Sequence, residues 1–215
     1  MKKKIAIIFL GLGIVGMNNI YAQKSNTKTK EEAKTYQSVA IGTDIPLERV
    51  AMEDVISGTS INLKELMGKS GILIMFSCNT CPYVIKAERR TKEILSIAEE
   101  NGYGVAIINS NEAQRNDVDS REAMKIYGVK HGYPNYFLDE NSAYANKLRA
   151  NRTPEVFLYN KEGKLVYKGA MDDNPAEPEN VEVIYLAEAM RNAIAGLPIN
   201  PTQTKSIGCT IKRVK

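Results

Sequence analysis

The chain has 215 residues, 43% of them hydrophobic, with 29 Lys+Arg against 25 Asp+Glu. That length and apolar content suit one globular domain with a buried core. Removing Lys2, Lys3 and Lys4 leaves 26 basic against 25 acidic residues, so charge gives no reason to expect a nucleic-acid partner.

From the N-terminus, Met1-Lys2-Lys3-Lys4 and the apolar run Ile5 to Gly16 predict a signal peptide, residues 1–22, cleaved after Ala22. The run is short of the ~20 residues that span a bilayer, so no stable membrane span is expected after cleavage. Export, to a bacterial periplasm, is the expected localisation, where disulfides form and exchange. Residues 23–39 are polar and lysine-rich, and read as a flexible leader. The main domain is expected over residues 40–197, with a C-terminal tail over 198–215.

Within the domain, strands near Glu48–Val55 and Ser60–Leu63 around Ser57-Gly58-Thr59 predict an N-terminal hairpin. A buried strand, Ile72–Phe76, leads to Cys78-Asn79-Thr80-Cys81-Pro82, and a helix follows from Val84 to Ala98, stopped near Asn101-Gly102. Gly104–Asn109 reads as a second apolar strand, and Val118-Asp119-Ser120 starts a helix through Tyr127. Its Met124 and Tyr127 are core by spacing. A short strand at Asn135–Leu138 and a short helix at Ala143–Leu148 come next. Glu155–Tyr159 and Lys164–Gly169 form a hairpin about Asn160-Lys161-Glu162-Gly163, and Val183–Ala195 is an amphipathic helix ended by Gly196. This order predicts an α/β fold with a central mixed β-sheet flanked by helices.

The Cys78–Cys81 spacing at a strand-to-helix junction points to reversible disulfide chemistry. A cysteine ahead of a helix start gains thiolate character from unpaired N–H groups and the helix dipole, and Cys78 is expected to be that cysteine. Pro82 follows Cys81 where c-type haem attachment needs His. Zinc needs more ligands than Cys209 and the lone His131 add, so neither a metal nor a cofactor is expected. An inert structural disulfide stays open, although closing so short a loop removes little chain entropy. His131, in Lys130-His131-Gly132, reads as a solvated loop residue. Asp172-Asp173-Asn174, without EF-hand spacing, reads as a polar loop.

These motifs resemble the thioredoxin superfamily, in its redoxin branch, which also holds the alkyl hydroperoxide reductase/thiol-specific antioxidant (AhpC/TSA) proteins. The resemblance covers about Ile41 to Gly196. It rests on Phe76-Ser77-Cys78-x-x-Cys81-Pro82, Thr153-Pro154-Glu155-Val156-Phe157-Leu158 and Gly163-Lys164-Leu165-Val166-Tyr167-Lys168-Gly169. It implies a thioredoxin-like fold with Tyr103 to Ala150 as a redoxin-type insertion. It implies catalysis by Cys78 as attacker and Cys81 as resolver, and a cis Thr153–Pro154 bond that binds substrate backbone. Implied partners are protein disulfides or dithiols and an upstream thiol reductant. Ser77 stands where thioredoxins carry Trp, and the strand before Cys78 lacks their buried acid; Glu155, Lys86 or proton transfer through water are the alternatives. Met75 stands where a peroxidase carries Thr or Ser, which makes a thiol-dependent peroxidase the alternative. A copper-binding chaperone and a non-catalytic binding domain are the others. Cys209, in a Gly-Cys-x-Ile-Lys ending similar to that of some exported redoxin-like proteins, is a candidate third redox thiol. Met75 predicts disulfide exchange over peroxide turnover.

Overall fold

The computed structural model describes residues 38–47 and 51–214; the expected signal peptide and most of the expected leader lie outside them. A seven-stranded mixed sheet forms the centre, in the order β2-β1-β5-β4-β3-β7-β8. Its strands are β1 (Ala51–Asp54), β2 (Thr59–Asn62), β3 (Gly71–Ser77), β4 (Tyr103–Asn109), β5 (Phe137–Leu138), β7 (Glu155–Asn160) and β8 (Leu165–Gly169). β3, β4 and β5 run parallel, and the other neighbours pair antiparallel. The N-terminal hairpin is therefore present as β1 and β2, joined to the sheet through β5.

The apolar run of β3 is buried at every position because both faces of the sheet are covered. Ile72, Ile74 and Phe76 pack with Tyr144 and Leu148 of helix α3 (Ala143–Leu148). Leu73 and Met75 point the other way, into residues of α1 (Pro82–Glu100) and α4 (Tyr185–Ala195). Alternation along one strand thus builds two cores.

Helix α2 (Arg121–His131) is longer than its sequence pattern predicts. Ser120 caps it by accepting the Ala123 N–H at 3.3 Å, and Gly132 stops it with φ 71°. Two short strands were not legible in the sequence: β6 (Arg152–Thr153) and β9 (Cys209–Thr210), which pair antiparallel.

Asp172-Asp173-Asn174 lie in a loop, as the sequence predicts, and the loop is tied down. Asp172 is buried against Arg90 of α1, with side chains 1% and 3% exposed, while Asp173 accepts the N–H groups of Glu182 and Val183. Each carboxylate has a structural task. A buried ion pair contributes little net stability, yet removing one partner strands the other charge. Asp172→Ala should therefore lower unfolding free energy by about 3–5 kcal/mol, read from urea denaturation, whereas Arg89→Ala on the exposed face of α1 should be nearly neutral.

Candidate active site

The site follows from strand register. Phe76 of β3 pairs with Glu155 of β7, so two residues beyond the ladder Cys78 meets Thr153. The Cys78 Sγ and Thr153 Oγ1 are 3.3 Å apart, and the Cys81 Sγ–H reaches the Thr153 carbonyl at 3.1 Å. The Thr153–Pro154 bond is cis. Cys78 and Cys81 are both reduced and buried, packed with Val84 and bordered by Tyr83, Tyr127 and Cys209. The structure thus brings together all five residues named from the sequence.

Pro82 occupies the first helical position and holds the preceding residue in an extended conformation. The N-cap is therefore Cys81, at φ −67° and ψ 123°, and Cys78 lies a loop earlier. The neighbouring Cys81 thiol and burial raise the Cys78 thiol pKa, and the neighbouring Cys78 thiol lowers that of Cys81. The two sulfurs thus titrate as one pair. Within it, the Cys81 proton is directed at the Thr153 carbonyl, and the Thr153 hydroxyl is placed to donate to the Cys78 sulfur.

A fully buried carboxylate shapes the loop between the cysteines. Asp119 accepts the Asn79 N–H at 3.0 Å, the Asn109 amide at 2.8 Å and the Asn111 amide at 2.8 Å. Tyr136 adds a bond from its hydroxyl to the Asn79 Oδ1 at 3.0 Å. The sequence shows Asp119 only as part of a helix-start signal. Its tertiary role depends on Asn109 and Asn111, whose spacing carries no motif.

The two substitute bases find other work. Lys86 donates to the Ala176 carbonyl at 3.0 Å on the surface. Glu155, its pKa raised by burial, accepts the N–H groups of Asn151 and Arg152 at 2.7 and 3.0 Å, and so stabilises the turn into β6. His131 is not a solvated loop residue. It ends α2, contacts Glu88 at 2.9 Å and stacks on Tyr127 at 4.3 Å. Tyr127 and Tyr133 also donate to Glu88. Among the described residues, no group of three or more His, Cys, Asp or Glu could hold a metal ion.

Cys209 arrives from the tail. β9 pairs with β6 so that Cys209 lies opposite Thr153 and Thr210 opposite Arg152. Its thiol pKa is pushed up to about 11, first by burial and then by the neighbouring Cys81 thiol. No described helix is long and apolar enough to cross a membrane.

Two thiols held against a threonine–proline turn, at the end of a βαβ unit, define a thioredoxin-like fold. The family model named Redoxin matches residues 27–184, and the chain belongs to the redoxin family. It is similar to an uncharacterized conserved protein from Geobacillus kaustophilus, at 30% identity and TM-score 0.75, covering 81% of this chain and 93% of that one. A hypothetical protein from Sinorhizobium meliloti 1021 is 30% identical, with TM-score 0.73 and coverage of 83% and 97%. The thioredoxin domain of a thiol-disulfide oxidoreductase from Bacteroides vulgatus shares the fold at 21% identity and TM-score 0.50, covering 61% and 89%. No curated relative matches the chain. Family and fold together support an oxidoreductase kind of function.

Two outcomes test this geometry. Asp119→Ala removes the acceptor of several buried donors and should cost about 3 kcal/mol or more in urea unfolding. Cys78→Ala removes the neighbouring thiol that lowers the Cys81 pKa. That pKa then rises, and less Cys81 thiolate is present at neutral pH. Ultraviolet thiolate absorbance, titrated in a Cys209→Ser background, should show the Cys81 transition at higher pH once Cys78 is replaced.

Proposed function

We propose that this chain is an exported thiol–disulfide oxidoreductase that exchanges disulfides with protein partners through Cys78 and Cys81. The observation that carries the reading is the buried Cys78–Cys81 pair held against Thr153 beside a cis-proline. Thiolate is the attacking species in exchange, and the Thr153 hydroxyl is placed to donate to the Cys78 sulfur while Cys81 directs its proton at the Thr153 carbonyl. In this scheme the Cys78 thiolate attacks a partner disulfide, and one partner sulfur leaves as a thiolate. Cys81 then gives up its proton and attacks Cys78 of the mixed disulfide, releasing the second partner thiol. The chain is left oxidised between Cys78 and Cys81, and an upstream thiol reductant restores it. Thr153 and Pro154 position the partner backbone, and the residue 1–22 signal supports an oxidising compartment.

A thiol peroxidase is the second reading, favoured by one contact. The Thr153 hydroxyl beside Cys78 is a group able to orient a peroxide. It arrives from β6, however, and not from the strand before the cysteine, where Met75 is buried in the core. Insulin reduction and hydrogen peroxide consumption, measured side by side with dithiothreitol as reductant, separate the two. Disulfide reduction should dominate and vanish in Cys78→Ser, and a Cys81→Ser/Cys209→Ser chain should accumulate mixed disulfides on Cys78. Rapid peroxide turnover without insulin reduction would promote the peroxidase. Mixed disulfides that form only on Cys81, in a Cys78→Ser chain, would reverse the two roles.

A further inference from the structure

An edge strand with an open side recognises an extended partner by backbone pairing, and here the open side of β6 is already taken. β9 pairs with it, placing Cys209 opposite Thr153, the residue that touches both Cys78 and Cys81. The approach is so close that a Cβ on Gly208 would lie 2.1 Å from the Thr153 carbonyl oxygen. The tail is fastened on the far side of Cys209 as well. Lys212 N–H donates to Asn111 Oδ1 at 2.8 Å and its carbonyl accepts the Ala113 N–H at 2.8 Å. Ile211 is buried in the core with α3, and the Ile211 N–H reaches the Asn151 carbonyl at 3.1 Å. Cys209 stays half-exposed, while Cys78 and Cys81 are buried.

We propose that β9 is a tethered stand-in for a partner chain, and that Cys209 is a third exchange thiol that forms a disulfide with Cys81. This rests on the exchange reading of the Cys78–Cys81 pair and deepens it. The bridge forms by isomerisation. Deprotonated Cys209 attacks the Cys81 sulfur of the Cys78–Cys81 disulfide, the Cys81–Cys209 bond forms as the older bond breaks, and Cys78 leaves with the electron pair. Cys78 takes up the proton that Cys209 lost, so nothing is oxidised or reduced overall.

Two consequences follow from position. The bridge fixes β9 on the β6 edge, so a partner that displaces β9 from the reduced chain does not engage the oxidised one. It also moves the exchangeable bond to half-exposed Cys209, where a reducing dithiol has access. The reductant's thiolate attacks the Cys209 sulfur, and Cys81 departs with the electron pair and takes up a proton. The reductant's second thiol then frees Cys209, and the dithiol becomes a disulfide.

The test oxidises the full purified chain with glutathione disulfide, quenches it in acid and maps cross-linked peptides by non-reducing mass spectrometry. The wild type should yield Cys78–Cys81 and Cys81–Cys209 linkages. Cys78→Ser should yield Cys81–Cys209 alone, and glutathione should compete with it only at roughly millimolar levels or above, as expected for a tethered thiol. Gly208→Val, which pushes the tail off Thr153, should lose the Cys81–Cys209 linkage and keep Cys78–Cys81. Circular dichroism confirms that each variant is folded. A stable glutathione adduct on Cys81 of Cys78→Ser, beside a free Cys209, would overturn the third thiol and leave the Cys78–Cys81 exchange reading intact. The absence of any disulfide at Cys78 and Cys81, with no insulin turnover, would overturn both.

Discussion

Backbone N–H and C=O groups inside a protein must find partners, and at Thr153 that requirement organises the site. Its carbonyl accepts from Cys81 and its hydroxyl meets Cys78, while β9 takes the strand edge. The pairing explains why a segment beyond the last helix returns across the domain, and why glycine stands at position 208. The two thiols, the turn and the tail form one hydrogen-bonded unit, and a change in any of them is felt by the others.

Asp119 ties the same unit to the sheet. Its carboxylate fixes Asn79 between the cysteines and, through Asn111, reaches the backbone of Lys212 in the tail. A single buried acid thus sets both the loop that carries Cys81 to the helix start and the path of the strand that carries Cys209. Buried acids are kept in place by donors of this kind. Here the donors are backbone and amide N–H groups rather than a basic side chain.

The regular elements of this fold were largely readable from sequence, for identifiable reasons. The run Gly71–Ser77 is apolar throughout because helices cover both faces of the sheet, and Asn160–Gly163 marks the hairpin between β7 and β8. β6 and β9 were not readable, since two-residue strands have no periodicity and exist only because each satisfies the other. The cysteine spacing alone carries no sign that Cys81 itself caps α1, which follows from Pro82 at the first helical position. His131 looked isolated because Glu88, Tyr127 and Tyr133 reach it only through tertiary packing.

The central claim is that Cys78 and Cys81 form a reversible two-electron couple. Equilibration of the purified chain against glutathione redox buffers, with thiols counted by alkylation and intact mass, measures this most directly. The account predicts that a pair of thiols disappears together in one reversible transition, with no glutathione retained on the protein. Thiols that persist across the whole range, or that are lost singly as glutathione adducts, would contradict it.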